Sequence, residues 1–159
     1  MLHGICLANI GSYSDPNVGV RIAQAAEAAG WDGVFIWDHL AFVWGAPAAD
    51  PWITLASIAQ ATSRVRIGTA VTPVARRRPQ VLAHEVASLD VLSNGRVIFG
   101  AGLGGSASEF AKFGEPSDAA KRAAMLDPHT AAELPLDEIA ALMDELIDCH
   151  DERHDLRPR

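Results

Sequence analysis

Four short apolar runs recur along the chain, and their spacing constrains the fold more than any other feature of the sequence. They cover residues Gly4 to Ile10, Gly33 to Trp37, Val65 to Val71 and Arg96 to Gly100. Each run is brief, rich in Val, Ile or Phe, and bounded by turn residues, which is typical of buried strands. The runs begin roughly thirty residues apart, so each interval has room for one helix.

The intervals contain helices with recognisable first and last turns. Asp15-Pro16 and Asp50-Pro51 each place a capping side chain before a proline, which favours the first helical position. A third helix is predicted from Pro79, and Asn94-Gly95 ends it. The chain is therefore predicted to have the order βαβαβαβ.

Strands that alternate with helices at this spacing are predicted to be parallel neighbours joined by right-handed crossovers. The fold class is therefore α/β, and two architectures fit it. One is an open, doubly wound sheet. The other is a partial TIM barrel of four βα units, half of the eight in a complete barrel of about 250 residues.

The excess negative charge of the chain is confined to its last part. Residues 1–126 carry ten acidic and ten basic side chains, whereas residues 127–159 carry ten acidic and three basic ones. This change predicts a boundary at Asp127 between a neutral body and an acidic helical tail. One amphipathic tail helix is predicted from apolar residues at helical spacing: Ile139, Leu142, Met143, Leu146 and Ile147.

Composition also narrows the class of protein. The body has no basic stripe, so nucleic acid is not an expected partner. Cys6 and Cys149 fit no metal-ligand spacing, and no metal site is predicted. The sequence lacks a signal-peptide pattern and any run near the ~18 apolar residues of a membrane span, so a cytoplasmic location without a membrane partner is expected.

Candidate functional residues follow the ends of the predicted strands, where parallel α/β folds bind ligands. Glycines at positions 100, 102, 104 and 105 allow the backbone to approach a ligand closely. Gly100-x-Gly102-x-x-Gly105 also matches a dinucleotide-binding pattern, but that pattern belongs after the first strand. The other candidates are Asn9, Trp37, Asp38, His39, Thr69 and Thr72.

Asp38-His39 is the strongest candidate for proton chemistry. Histidine titrates near neutral pH, and a nearby carboxylate can hold its tautomer. The alternative is structural, with Asp38 as a helix cap and His39 satisfied within the fold. Arg76 to Arg78 face either an anionic ligand or solvent, and Glu109 either faces the site or begins the next helix.

Several motifs, in one order, resemble those of the luciferase-like monooxygenase superfamily. The resemblance covers residues 1 to about 126. The motifs are Trp31-Asp32-Gly33-Val34-Phe35 with Asp38-His39, Arg66-Ile67-Gly68-Thr69-Ala70-Val71-Thr72-Pro73, Arg78-Pro79, Leu89-Asp90-x-Leu92-Ser93-x-Gly95-Arg96, Gly100-Ala101-Gly102, Glu109-Phe110 and Phe113-Gly114.

The resemblance implies a TIM barrel that binds FMN or the deazaflavin coenzyme F420 and carries out hydride transfer or oxygen activation on a small organic substrate. His39 and Asp38 would be catalytic, with His39 the proton-transfer group beside the ring. The family often has a non-proline cis peptide at the position of Ala70-Val71. The implied cofactor-binding residues are Asn9, Thr69, Ala70, Val71, Thr72, Gly100, Gly102 and Gly104.

Two departures from the family pattern bear on function. Leu103 stands where the deazaflavin-dependent sugar dehydrogenases carry an acid, so their specific mechanism is not expected. The second half of the barrel, which holds the cofactor phosphate in the family, has no counterpart in the 159 residues. The expectation is a truncated member whose unpaired strand edges favour a homodimer.

Functions of different classes stay open. One is a flavin- or deazaflavin-dependent oxidoreductase or monooxygenase. Another is a truncated, non-catalytic relative that serves as a binding or structural module. A third, a nicotinamide-binding doubly wound domain, requires the glycine loop to open a helix directly.

Overall fold

The computed structural model describes residues 1–40 and 45–126. The main sheet has four strands in chain order: β1 (Gly4–Leu7), β2 (Gly33–Ile36), β3 (Arg66–Thr69) and β5 (Val97–Ile98). Two shorter strands, β4 (Thr72–Pro73) and β6 (Ala101–Gly102), pair in parallel beyond the ends of the main sheet. The predicted α/β class with parallel strands is confirmed.

Three helices connect the strands of the main sheet: α1 (Pro16–Ala28), α2 (Pro51–Ala61) and α3 (Pro79–Ser93). Asp15 and Asp50 cap the first two by accepting from the amides of Asn17 and Ile53. Asn94 ends the third in the left-handed conformation, at a φ of 58°. These contacts confirm the helix starts and the helix end predicted from the sequence.

Two further helices, α4 (Ala107–Lys112) and α5 (Ala119–Leu126), follow the last strand. The predicted acidic tail helix lies outside the described residues. Across residues 1–40 and 45–126, none of the helices is long and apolar enough to cross a membrane.

The core lies between one face of the main sheet and the three crossover helices. Helix α1 packs against α2, and α2 against α3, so all three share one face. Consecutive βα units of a barrel have this arrangement, whereas a doubly wound sheet has helices on both faces. The core residues include Val34, Ile36, Ile67, Leu55, Ile58, Val86 and Leu89.

The strands are interrupted beside one another near their carboxyl ends. β3 and β4 are separated at Ala70 and Val71, whose peptide bond is cis, as the resemblance implies. A Cβ atom at Gly100 would overlap the carbonyl oxygen of Thr69, and one at Gly102 would overlap the side chain of Val71. These two glycines therefore allow neighbouring strands to approach closely.

Candidate active site

A cleft of about 190 Å³ opens at the carboxyl end of the sheet. The segment after β2, the break between β3 and β4, the loop after β6 and helix α4 all contribute to it. Its apolar walls come from Trp37, Val71, Pro73 and Phe110. The cleft therefore lies at the end of the sheet where parallel α/β folds place their ligands.

His39 lines the cleft, and a carboxylate holds one side of its ring. Its Nδ1 atom lies 3.0 Å from Oε2 of Glu109, and the amide of Leu40 donates to Oε1 of Glu109 at 2.8 Å. The side chain of His39 is 20% exposed and that of Glu109 is 3% exposed. The carboxylate at the ring is thus Glu109 and not the neighbouring Asp38, because adjacent residues of an extended segment point to opposite sides.

Asn9 holds the backbone at His39. Its side-chain amide donates to the carbonyl oxygens of His39 and Ala49, both at 2.7 Å. Its Oδ1 accepts from the amide of His39 at 3.2 Å. Asn9 is buried and does not line the cleft, so it supports the backbone at His39 and does not face the cleft itself.

Asp38 forms a buried ion pair. Both of its oxygens accept from one terminal nitrogen of Arg77, at 2.8 and 2.9 Å, and its side chain is 0% exposed. Arg77 also contacts Glu85 at 3.5 Å. Burial raises the pKa of Glu85, the charge of Arg77 opposes that effect, and Asp50 and Asp38 add to it. Asp38 is thus bound to Arg77 and caps none of the described helices, which is a structural contact that differs from the helix cap expected as the alternative.

Arg76 binds the same carboxylate that His39 contacts. Its terminal nitrogen donates to Oε2 of Glu109 at 3.3 Å, and its Nε to Glu115 at 3.0 Å. Its guanidinium lies 4.2 Å from the centre of the Phe110 ring. Arg76 therefore has internal partners, as Arg77 does, and does not form a solvated basic patch.

Sequence reasoning misses Arg122, which is 4% exposed on α5. It donates to the carbonyl oxygens of Leu103 and Gly104 at 3.0 and 3.3 Å, and to those of Pro116–Ser117 at 3.2 and 2.6 Å. It ties the glycine loop to the segment before α5. An arginine beside Lys121 in a short helix gives no sequence signal of such burial.

The structure brings five of the ten predicted site residues to the cleft lining: Asp38, His39, Ala70, Val71 and Gly104. The other five, which are not among the lining residues, are Asn9, Thr69, Thr72, Gly100 and Gly102. The hydroxyl of Thr69 donates to the carbonyl oxygen of Gly100 at 3.3 Å. The buried hydroxyl of Thr72 has no hydrogen-bond partner within the described part of the chain.

The cis peptide, the Asp38-His39 pair and the glycine loop thus lie around one cleft. The family model described as luciferase-like monooxygenase matches residues 3–147. The chain belongs to this family. The match extends past Leu126, the last residue of α5, into the predicted acidic tail.

Curated relatives of this luciferase-like chain are longer proteins. The F420-dependent glucose-6-phosphate dehydrogenase of Amycolatopsis mediterranei is 42% identical over 101 residues, which are 60% of this chain and 29% of that protein. The 4-hydroxyprotoasukamycin monooxygenase of Streptomyces nodosus subsp. asukaensis is 28% identical over 141 residues, 88% of this chain and 38% of that protein. The chain spans less than half the length of either relative.

Solved structures of luciferase-like proteins share the fold. The coenzyme F420 dependent tetrahydromethanopterin reductase from Methanopyrus kandleri gives a TM-score of 0.62 at 29% identity, over 72% of this chain and 30% of its own. The oxygenating constituent of 3,6-diketocamphane monooxygenase from Pseudomonas putida, in complex with FMN, gives a TM-score of 0.63 at 20% identity, over 72% of this chain and 32% of its own. At that identity the second likeness shows the fold alone.

The cleft lining suits a flat ring better than a charged group. Trp37, Val71 and Phe110 offer apolar surface, and the loop at Gly104 and Gly105 has no side chains. The cleft, at about 190 Å³, is smaller than the roughly 300–1,000 Å³ of complete ligand pockets, so the described residues have room for only part of a ligand of that size. Within the described lining there is no Lys or Arg to bind a phosphate.

Proposed function

We propose that the cleft binds the ring of F420 or FMN and that the chain acts as an oxidoreductase on a small organic substrate. The observation that carries the proposal is the imidazole of His39, which lines the cleft while its Nδ1 contacts Glu109 at 3.0 Å. A carboxylate only accepts hydrogen bonds, so Nδ1 carries the proton of the neutral ring. Nε2 is then the basic nitrogen, suited to proton transfer.

In this proposal, a bound F420 or FMN supplies the acceptor or donor of the hydride. His39 takes the hydroxyl proton of an alcohol substrate at Nε2 as the hydrogen on the adjacent carbon leaves as hydride, and it returns that proton in the reverse reaction. Trp37 and Phe110 exclude water from one side of the cleft. Ala70 and Val71, which line the cleft at the break between β3 and β4, would contact the ring of a bound cofactor.

F420 is the first cofactor to test, because the F420-dependent relative is 42% identical and the monooxygenase 28% identical to this chain. A sugar phosphate is not the proposed substrate. Leu103 stands where the F420-dependent sugar dehydrogenases carry an acid, and the described lining has no Lys or Arg. An uncharged alcohol or carbonyl compound suits the apolar walls better.

A fluorescence titration of the full chain with F420, and separately with FMN, tests the binding step. We expect a dissociation constant of about micromolar order for one of them. Val71→Asp places a charge in the cleft and should weaken binding at least about tenfold. Val81→Asp is the matched control, since this valine is similarly exposed but lies on α3. Binding of neither cofactor would favour the alternative of a non-catalytic relative.

His39→Ala tests the proton-transfer step. It should lower kcat by about 10²- to 10⁴-fold while changing the dissociation constant of the cofactor far less, because general acid–base groups act on the transition state. His84→Ala is the control, since His84 is exposed on α3. Equal turnover in the two variants would remove His39 from the reaction.

The homodimer belongs to the same proposal. Within the described ranges, the outer edges of β1 and β5 pair with no further strand. Unpaired edges favour association with another strand, and a second copy of the chain would supply one. Light scattering should therefore give the molar mass of two chains, and a monodisperse monomer would contradict the dimer.

A further inference from the structure

We infer that Glu109 is a positioning residue, which fixes the tautomer and the orientation of His39 while Arg76 holds its carboxylate in place. The catalytic consequence rests on the proposed function. The effect of Glu109 on the tautomer of His39 does not rest on it, because the tautomer of a histidine can be measured without turnover.

Three segments that are distant in the chain meet at this carboxylate. Oε2 of Glu109 lies 3.0 Å from Nδ1 of His39 and accepts from Arg76 at 3.3 Å. Oε1 accepts from the amide of Leu40 at 2.8 Å. One carboxylate therefore holds both the imidazole and the backbone that follows it, and it cannot rotate without losing a hydrogen bond.

The surroundings of Glu109 favour its charged form. Its side chain and that of Arg76 are both 3% exposed, and a buried carboxylate requires a compensating partner. Arg76 supplies that positive charge. Glu115, which is 21% exposed, binds the other side of the guanidinium at 3.0 Å. The carboxylate of Glu109 is thus fixed by an ion pair with Arg76, which is itself paired with Glu115.

The chemistry of the acceptor then decides where the proton of the imidazole lies. A carboxylate cannot donate, so the neutral ring of His39 carries its proton on Nδ1 and accepts at Nε2. In Glu109→Gln, one oxygen becomes an NH₂ group. If that group faces the amide of Leu40, two donors oppose each other. If it takes the place of Oε2, it opposes the donor Arg76, and the ring must move its proton to Nε2 in order to accept from it. The variant is therefore expected to populate the wrong tautomer.

The test is the ¹⁵N spectrum of the imidazole nitrogens in the full chain, at a pH where the ring is neutral. His39→Asn assigns the signal of His39. The proton should lie on Nδ1 in the wild type and in Glu109→Asp, which keeps an acceptor-only group. In Glu109→Gln, part or all of it should move to Nε2. Glu27→Gln is the matched control and should leave the signal unchanged, because Glu27 binds the amides of residues 63–65 and contacts neither Arg76 nor the ring.

Two results would overturn the inference: a wild-type ring with its proton on Nε2, or a Glu109→Gln spectrum that matches the wild type. If Glu109→Gln does not fold, the wild-type spectrum decides alone. Where turnover with F420 or FMN is measurable, Glu109→Gln should lower kcat by about 10²- to 10⁴-fold with little change in KM, as expected for a misplaced proton. A wild type without turnover but with the Nδ1 proton contradicts the proposed function and supports the role of Glu109.

Discussion

Charged side chains with several hydrogen bonds lie at both ends of the parallel sheet, but they have different partners. At the amino ends of the strands, Arg96 and Glu27 bind backbone groups. At the carboxyl ends, around the cleft, Asp38 and Glu109 bind arginine side chains, and Glu109 also contacts His39. Both members of an ion pair between side chains can be substituted at once, whereas a backbone carbonyl or amide cannot be removed by substitution. The two ends should therefore respond differently to mutation.

The amino-end contacts join helix ends to the segment before β3. The guanidinium of Arg96, which is 8% exposed, donates to the carbonyl oxygens of residues 59, 62, 65 and 93. The carboxylate of Glu27 accepts from the amides of residues 63, 64 and 65. Removal of either side chain leaves peptide groups that have lost a partner.

The largest effect on stability is expected from Arg96→Met. It leaves four backbone carbonyls without this donor, and we expect the free energy of unfolding to fall by about 3–5 kcal/mol in urea denaturation. Arg21→Met is the control, because Arg21 is exposed on α1 and should change stability by less than about 0.5 kcal/mol. A loss below about 1 kcal/mol for Arg96→Met would contradict this account of the amino end.

Asp38→Asn addresses the cleft end. It leaves Arg77, whose side chain is 14% exposed, with Glu85 at 3.5 Å as its remaining ion-pair partner. We expect a loss of about 3 kcal/mol, since breaking a buried pair leaves an uncompensated charge. The double variant Asp38→Leu with Arg77→Met removes both charges and should recover to within about 1.5 kcal/mol of the wild type. Without that recovery in a double-mutant cycle, the two ends of the sheet would not differ as described.

Asp38→Asn also separates Asp38 from His39 in catalysis. The resemblance implies a catalytic Asp38, but its carboxylate is 0% exposed and bound to Arg77. We therefore expect the kcat of Asp38→Asn, measured on folded protein, to fall much less than the kcat of His39→Ala. A loss as large as that of His39→Ala would restore Asp38 to the reaction.

Local signals predicted much of the fold. Proline after aspartate at Pro16 and Pro51 marks two helix starts, and Asn94 marks a helix end, because these depend on residues that are near in sequence. The predicted site residues that line the cleft were predicted for a similar reason, since they follow the strand ends; they are Asp38, His39, Ala70, Val71 and Gly104.

The partners within the cleft could not be predicted, because they depend on distant segments. Glu109 reaches His39 across 70 positions, and Arg76 reaches Glu109 across 33. Adjacency in sequence suggests Asp38 as the partner of His39, but side chains alternate along an extended backbone. The reason for a glycine at position 100 could not be predicted either, because the group closest to it is the carbonyl of Thr69 on β3, which is distant in sequence.

Glu27→Gln is expected to have a smaller effect, which depends on pH. Burial acts to raise the pKa of Glu27, but the amide hydrogen bonds outweigh it, and the pKa lies below the ordinary 4.5. Ionised Glu27 therefore stabilises the fold above about pH 4.5, and this stability is lost as the pH falls through the lowered pKa. The variant should lose about 1 kcal/mol at pH 7, since the group is largely solvated, and less at a pH below that lowered pKa. An equal loss at both pH values would contradict this assignment.

The smallest effect is expected from Glu85→Gln, with a pH dependence of opposite sign. The pKa of Glu85 is raised, chiefly by burial. Between pH 4.5 and that raised pKa, the unfolded chain has released its proton while the folded chain still holds it, so wild-type stability falls as the pH rises. Relative to the wild type, Glu85→Gln should therefore be more favourable at pH 7 than at pH 4, by less than about 1 kcal/mol because the group is partly exposed. Unfolding curves at the two pH values measure the sign directly. The same sign for Glu27→Gln and Glu85→Gln would contradict the opposite pKa shifts of these two carboxylates.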